Sequence, residues 1–134
     1  MKKLLIITLC LFLNYNTKGQ ISKDSLIKII NLDRKDVAEI NALIYLANAL
    51  TPSDSATTFI NKALSLSEKL NYKKGKADCF LILANQFSFT SNFGQAIQYD
   101  LAALTLYKEI RNNVGIASAH LALQSFYQAV GDYG

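Results

Sequence analysis

The chain has 134 residues, 51% of them hydrophobic, with one proline and six glycines, a composition that supports one domain with a core and excludes a disordered chain. Its formal charge of +4 is unevenly placed: Lys2, Lys3 and Lys18 fall in an N-terminal stretch without acids, which leaves 11 basic and 10 acidic residues beyond it, a balance of +1. No basic face survives that subtraction, so recognition of nucleic acid loses its electrostatic basis.

Residues 1–19 read as a secretory signal peptide. Lys2-Lys3 supplies the positive start, and the apolar run over residues 4–13 is too short for a bilayer core of about 30 Å. Thr17 and Gly19 are the small residues of a cleavage site before Gln20, set among less favourable Asn14, Tyr15 and Lys18. The alternative is an uncleaved amphipathic anchor; a lipidation site at Cys10 is disfavoured by the bulk of Leu9 before it. Export would make this a periplasmic or extracellular protein, membrane-anchored only in a longer form. Cys79 is then the one remaining cysteine, unable to form an intrachain disulfide, and its place between Asp78 and Phe80 in an apolar helix marks a packing residue.

Residues 20–35 form a leading helix and linker, with Leu26, Ile29 and Ile30 at helical spacing and Asp24 and Ser25 suited to a helix start. From Asp36, the apolar positions Val37, Ile40, Leu43, Ile44, Ala47 and Leu50 follow the one-faced helical pattern. Thr51-Pro52 stops that helix, and Ser53 or Asp54 caps the next, which carries Ala56, Phe59, Ile60, Ala63, Leu64, Leu66 and Leu70. Asn71 to Gly75 reads as a connection holding a solvated lysine cluster, leading into two helices over residues 73–88 and 92–110 around the turn Phe89-Thr90-Ser91. Arg111 to Gly115 plays the same connecting part before a last helix over 115–130. No segment alternates as a strand would.

A shift of about 40 residues superimposes these segments. Phe59/Tyr99, Ala63/Ala103, Leu64/Leu104, Leu66/Leu106 and Leu70/Ile110 match one helix to another, and Gly75/Gly115, Ala77/Ala117, Leu83/Leu123 and Phe87/Tyr127 match their partners. Asn92/Asp132, Phe93/Tyr133 and Gly94/Gly134 extend the match through the turn. Such a period is the signature of stacked helical units.

The central pair resembles the tetratricopeptide repeat. Phe80, Leu83, Ala84 and Phe87 stand at that family's large and small positions, the turn Ser91-Asn92-Phe93 at its Gly-Asp-Tyr, and Ala96, Ala103 and Leu104 follow at the expected spacing; Gly131-Asp132-Tyr133 has the turn in its usual form. Small residues at Ala84, Ala96 and Ala103 let paired helices approach, and Phe80, Phe87 and Phe93 fill the gaps. The sequence departs from the family in its long period, in Asp100 where an aromatic is common, and in a first turn about three residues short. The resemblance implies an all-α, right-handed superhelical solenoid of antiparallel helix pairs over residues 36–134, about two and a half repeats with the last incomplete. A natural end would carry a polar capping helix, so the sequence reads as the front of a longer protein. Its last helix would then half-expose Leu121, Leu123, Phe126 and Val130 and favour self-association.

Chemistry is hard to find. His120 occupies the place of Phe80 and is expected as a partly buried packing residue; no second histidine exists to share a metal. No serine or cysteine stands beside a positioned base, and Lys73-Lys74-Gly75-Lys76 lacks the remaining residues of a phosphate loop. Neither an enzyme, a metal nor a cofactor is expected.

The resemblance instead implies a scaffold that binds a protein or peptide segment along the first helices of each pair. Transferred position by position, its inward-facing places are Asn41, Ile44 and Asn48; Asp78, Leu81, Asn85 and Ser88; and Ser118, Leu121, Ser125 and Gln128. The basic clamp that some relatives use for a carboxylate is replaced by aliphatic Ile44, Leu81 and Leu121, which points to a neutral or mildly polar segment. A second reading makes the chain the extracytoplasmic sensory region of a longer bacterial signalling protein, a histidine kinase or DNA-binding regulator. A third, an envelope assembly factor, shares the physics of the first.

Overall fold

The computed structural model describes residues 22–132, and among these the fold is all-α, with six helices and no strand. They are α1 (Lys23–Asn31), α2 (Val37–Leu50), α3 (Asp54–Lys69), α4 (Lys73–Phe89), α5 (Phe93–Glu109) and α6 (Asn113–Asp132). The stretch read as a signal peptide lies outside the described residues, as do Tyr133 and Gly134.

Local chemistry fixes most helix starts. Side chains of Ser22, Asp36, Ser53, Asn92 and Asn112 accept hydrogen bonds from the amides of Ser25, Glu39, Ala56, Gln95 and Gly115, at 3.0–3.3 Å. Each satisfies one of the free donors of a first turn. The first makes Ser22 the cap and puts Asp24 and Ser25 in the first turn of α1, where a helix start was expected, and the third selects Ser53 over Asp54. Helix α4 differs: Tyr72 precedes it and offers no capping side chain.

The α3–α4, α4–α5 and α5–α6 turns share one geometry at intervals of 20 residues. Asn71, Ser91 and Arg111 all take a left-handed conformation, with φ of 50°, 58° and 55°. The following amide then bonds back to Ser67, Phe87 or Tyr107, closing the helix end with a 6→1 hydrogen bond. The helix expected from residue 73 starts there, and the connections read over 71–75 and 111–115 are shorter than expected. Lys73, Lys74 and Gly75 belong to the first turn of α4, and Val114 and Gly115 to α6, because the cap falls at residues 72 and 112. The lysines are not free in solvent either: Lys73 pairs with Glu109, Lys74 with Asp78 and Lys76 with Glu68.

Each helix packs on the next, and α2–α4 and α4–α6 also touch, so these three lie side by side while α3 and α5 each bridge a pair. The interior follows the 40-residue shift. One cluster joins Ile40, Leu43 and Ala47 of α2 to Ile60, Ala63 and Leu66 of α3 and Cys79 and Ile82 of α4. The next joins Ala77 of α4 to Ala103, Leu104 and Tyr107 of α5 and Ala119 and Leu123 of α6. Ala84 and Ala96 are fully buried where α4 and α5 meet, and Tyr99 of α5 stacks on Phe87 at 5.5 Å between ring centroids and leans on Phe80 at 5.8 Å.

Two burial expectations are corrected at α6. His120 is exposed rather than packed, because Phe80 owes its burial to Tyr99 and no described helix lies on the corresponding side of α6. Leu123 and Phe126 are buried, since their stripe faces α5 and α4, whereas Leu121 and Val130 are exposed at 66% and 47%.

Candidate functional site

Helices α2 and α4 lie side by side and leave a groove of about 370 Å³ between them. Six residues picked out by sequence line it together: Asn41, Ile44 and Asn48 from α2, and Asp78, Leu81 and Asn85 from α4. The cause is helical spacing, since steps of three and four put each trio on one face. Asn41 and Asn48 are exposed, and Ile44, Leu81 and Asn85 half-buried. The groove therefore combines amides that can both donate and accept with a narrow aliphatic strip.

Four further lining residues were not among those expected: Tyr45, Lys74, Ile82 and Tyr107. Tyr45 shares the face of Asn41 and Asn48 and was within reach of a helical-wheel reading. Lys74 stands one turn before Asp78, a spacing that signals an ion pair, and its Nζ lies 2.7 Å from Asp78 Oδ2. Tyr107 gave no local signal, because it arrives from α5 and its hydroxyl donates to Asp78 Oδ1 at 2.6 Å. In the preceding unit the same place holds Ser67, too short to reach so far.

The groove floor is thus an electrostatically closed unit. Burial works against the Lys74 ammonium, but the Asp78 carboxylate outweighs it and raises the lysine's pKa. Burial also raises the Tyr107 hydroxyl far above its ordinary range, with Asp78 reinforcing the shift. With one oxygen on an ammonium and the other on a phenol, Asp78 is held as an acceptor and leaves no net charge in the groove.

The remaining expected residues lie elsewhere. Ser88 is half-buried one turn beyond Asn85, and its hydroxyl donates to the Asn85 carbonyl at 2.6 Å. On α6, the Ser118 and Ser125 hydroxyls bond back to the carbonyls of Val114 and Leu121, at 3.0 and 3.1 Å. Such back-bonding uses the donor locally. Leu121, Ser125 and Gln128 are exposed and stand apart from the α2–α4 groove.

A second cavity, of about 400 Å³, opens between the start of α3 and the end of α4 beside Pro52, Leu83 and Phe87. Its polar group, the Gln86 amide, is occupied in donating to Thr57 Oγ1 at 2.7 Å and the Ser53 carbonyl at 3.3 Å. That contact joins α4 to α3 and ties up the Gln86 amide nitrogen, leaving the exposed Asp54 carboxylate at the rim of a largely apolar cavity.

Among the described residues, no three His, Cys, Asp or Glu side chains are grouped to hold a metal. The thiol of Cys79 is buried and pushed up to about 12, by desolvation first and by Asp78 second, so it stays protonated at neutral pH and is no nucleophile. No described helix is long and apolar enough to cross a membrane. No protein-family model, curated protein or solved structure matches the chain.

Proposed function

We propose that this protein is a non-catalytic scaffold of the tetratricopeptide type, exported from the cytoplasm, that holds a peptide or protein segment in the α2–α4 groove. The carrying observation is the convergence of six residues, chosen by repeat position alone, on one groove. Support for a solenoid of paired helices comes from the 40-residue match, from the three like turns and from the α2–α4–α6 row. Support for export comes from the composition of residues 1–19.

The chemistry favours a neutral or mildly polar, extended segment. Asn48 and Asn85 can each bond a peptide carbonyl and amide, while Ile44 and Leu81 contact its apolar side chains. Asp78 is already doubly partnered, and Lys74 is neutralised by it, so neither a basic nor an acidic ligand finds an unpaired charge there. Selection of binders from a phage-displayed random peptide library tests the reading. Enrichment of uncharged sequences that compete for one site is the expected result, and enrichment of acidic or basic sequences would refute the proposed specificity.

A further inference from the structure

Asp100 stands on α5 where Ile60 stands on α3, and both are fully buried. Ile60 is at home in an apolar cluster. Asp100 is not: no side chain donates to either carboxylate oxygen, and none of the ion pairs among the described residues includes it. An ionised carboxylate in such a place is strongly disfavoured, while the protonated form loses far less.

The elements packed on α5 are α4 and α6. On α4, Lys73, Lys74 and Lys76 are committed to Glu109, Asp78 and Glu68, Asp78 also takes the Tyr107 hydroxyl, and the Cys79 thiol is neutral. On α5 itself Tyr107 feels the Asp100 charge and is likewise held neutral, while the adjacent Tyr99 stacks on Phe87. From α6 the facing group is the backbone amide of Leu123, while His120 and Tyr127 are exposed. Among the described residues, no neighbour therefore supplies a compensating cation.

We propose that Asp100 makes the seating of α6 on α5 pH-dependent, firm when its carboxyl is protonated and loosened when it ionises. Burial pushes that carboxyl up to about 7, with the Leu123 amide offsetting part of the rise. The seated state therefore keeps a proton that the loosened state gives up, and the contribution to seating is complete below about pH 4 and lost as pH rises to about 7. Within that window the opening of α6 grows by roughly tenfold per pH unit. Ser118, Leu121, Ser125 and Gln128 ride on α6, so the device governs whether that row is held in register with the α2–α4 groove. It operates whether or not the groove binds a peptide.

Hydrogen exchange of α6 amides, corrected for intrinsic chemistry and compared at pH 5 and pH 8, tests this in the wild type, Asp100→Asn and Asp100→Ile. The wild type should show α6 opening rise by about ten- to a hundredfold, with α2 and α3 changing much less and both variants flat. Asp100→Ile restores the residue of the preceding unit and keeps the test decisive if Asp100→Asn fails to fold. Wild-type opening equal at both pH values, a pH dependence that survives in the variants, or α2 and α3 opening in step with α6 would each overturn the proposal.

Discussion

Glu39 and Asp100 are both sealed from solvent, yet only one of them is compensated. Glu39 Oε1 lies 2.7 Å from Lys62 Nζ, and Oε2 accepts the Lys35 amide at 2.8 Å. Burial would raise its pKa, but Lys62 and the Lys35 amide outweigh burial and hold the carboxyl below its ordinary value. Its contribution to stability is thus present above that ordinary value and lost as pH falls through the depressed one. Lys62→Met should cost about 1–3 kcal/mol at pH 7, less than breaking a fully buried pair because the lysine head is partly solvated. The cost should shrink at pH 4, where the stranded carboxyl can take a proton. Urea denaturation at both pH values checks this; an equal cost at the two would show that the lysine acts through packing alone.

Glycine and tyrosine set a second contrast among single residues. A Cβ at Gly115 would run into the ring of Tyr107, the side chain that also supports Asp78 in the groove. Gly94 has open space around it, with nothing within 4 Å of such an atom. Gly115→Ala should therefore destabilise by about 1–3 kcal/mol through overpacking. Gly94→Ala should stabilise by a few tenths up to about 1 kcal/mol through helix propensity. Thermal melting of the two variants gives the comparison, and a neutral Gly115→Ala would mean that the α5–α6 contact is loose.

Among the elements, the helices themselves were readable from apolar spacing, because each buries one face and exposes another over several turns. Their boundaries were less so. At α4 the first turn carries three lysines and no acid, an arrangement that opposes the helix dipole, and its partners Glu68 and Glu109 lie on other helices. Sequence therefore gives two overlapping readings, a helix from residue 73 and a connection through Gly75, and the tertiary ion pairs favour the helix. The exposure of His120 was hidden for the opposite reason, since repeat position assumes a neighbour like Tyr99. In the groove, the α2 and α4 residues were legible because they share helical faces, while Tyr107 was not, because it belongs to another helix.

The three like turns make an element-level prediction. Ser91 and Arg111 adopt the left-handed conformation without being glycine, which strains the Cβ against the backbone. Asn71 tolerates it better, through its short polar side chain. Arg111→Gly should raise stability by about 0.5–1 kcal/mol, the relief of strain exceeding the added freedom of the unfolded chain. Asn71→Gly should gain less. Chemical denaturation ranks the two, and a loss of stability at Arg111 would show that its side chain makes a contact worth more than the strain.

For the molecule as a whole, the arrangement separates two surfaces that repeat logic would treat as one. The α2–α4 groove has amides free to bond outward, a paired Asp78 and a definite volume. The α6 row has hydroxyls already bonded to their own helix and an exposed Leu121 beside them. A peptide selected on this protein should then depend unequally on the two. Asn48→Ala with Asn85→Ala removes two bidentate partners and should weaken binding by about thirtyfold or more, at roughly 0.5–1.5 kcal/mol for each of four lost hydrogen bonds. Ser125→Ala with Gln128→Ala should change affinity by less than about threefold, because a back-bonded serine and a solvated amide have little to lose. Calorimetric titration of the selected peptide into each double variant, with the helical circular dichroism signal as the folding control, decides between them. Equal losses would mean that the ligand spans α2, α4 and α6, and a loss confined to the α6 pair would move the site off the groove altogether.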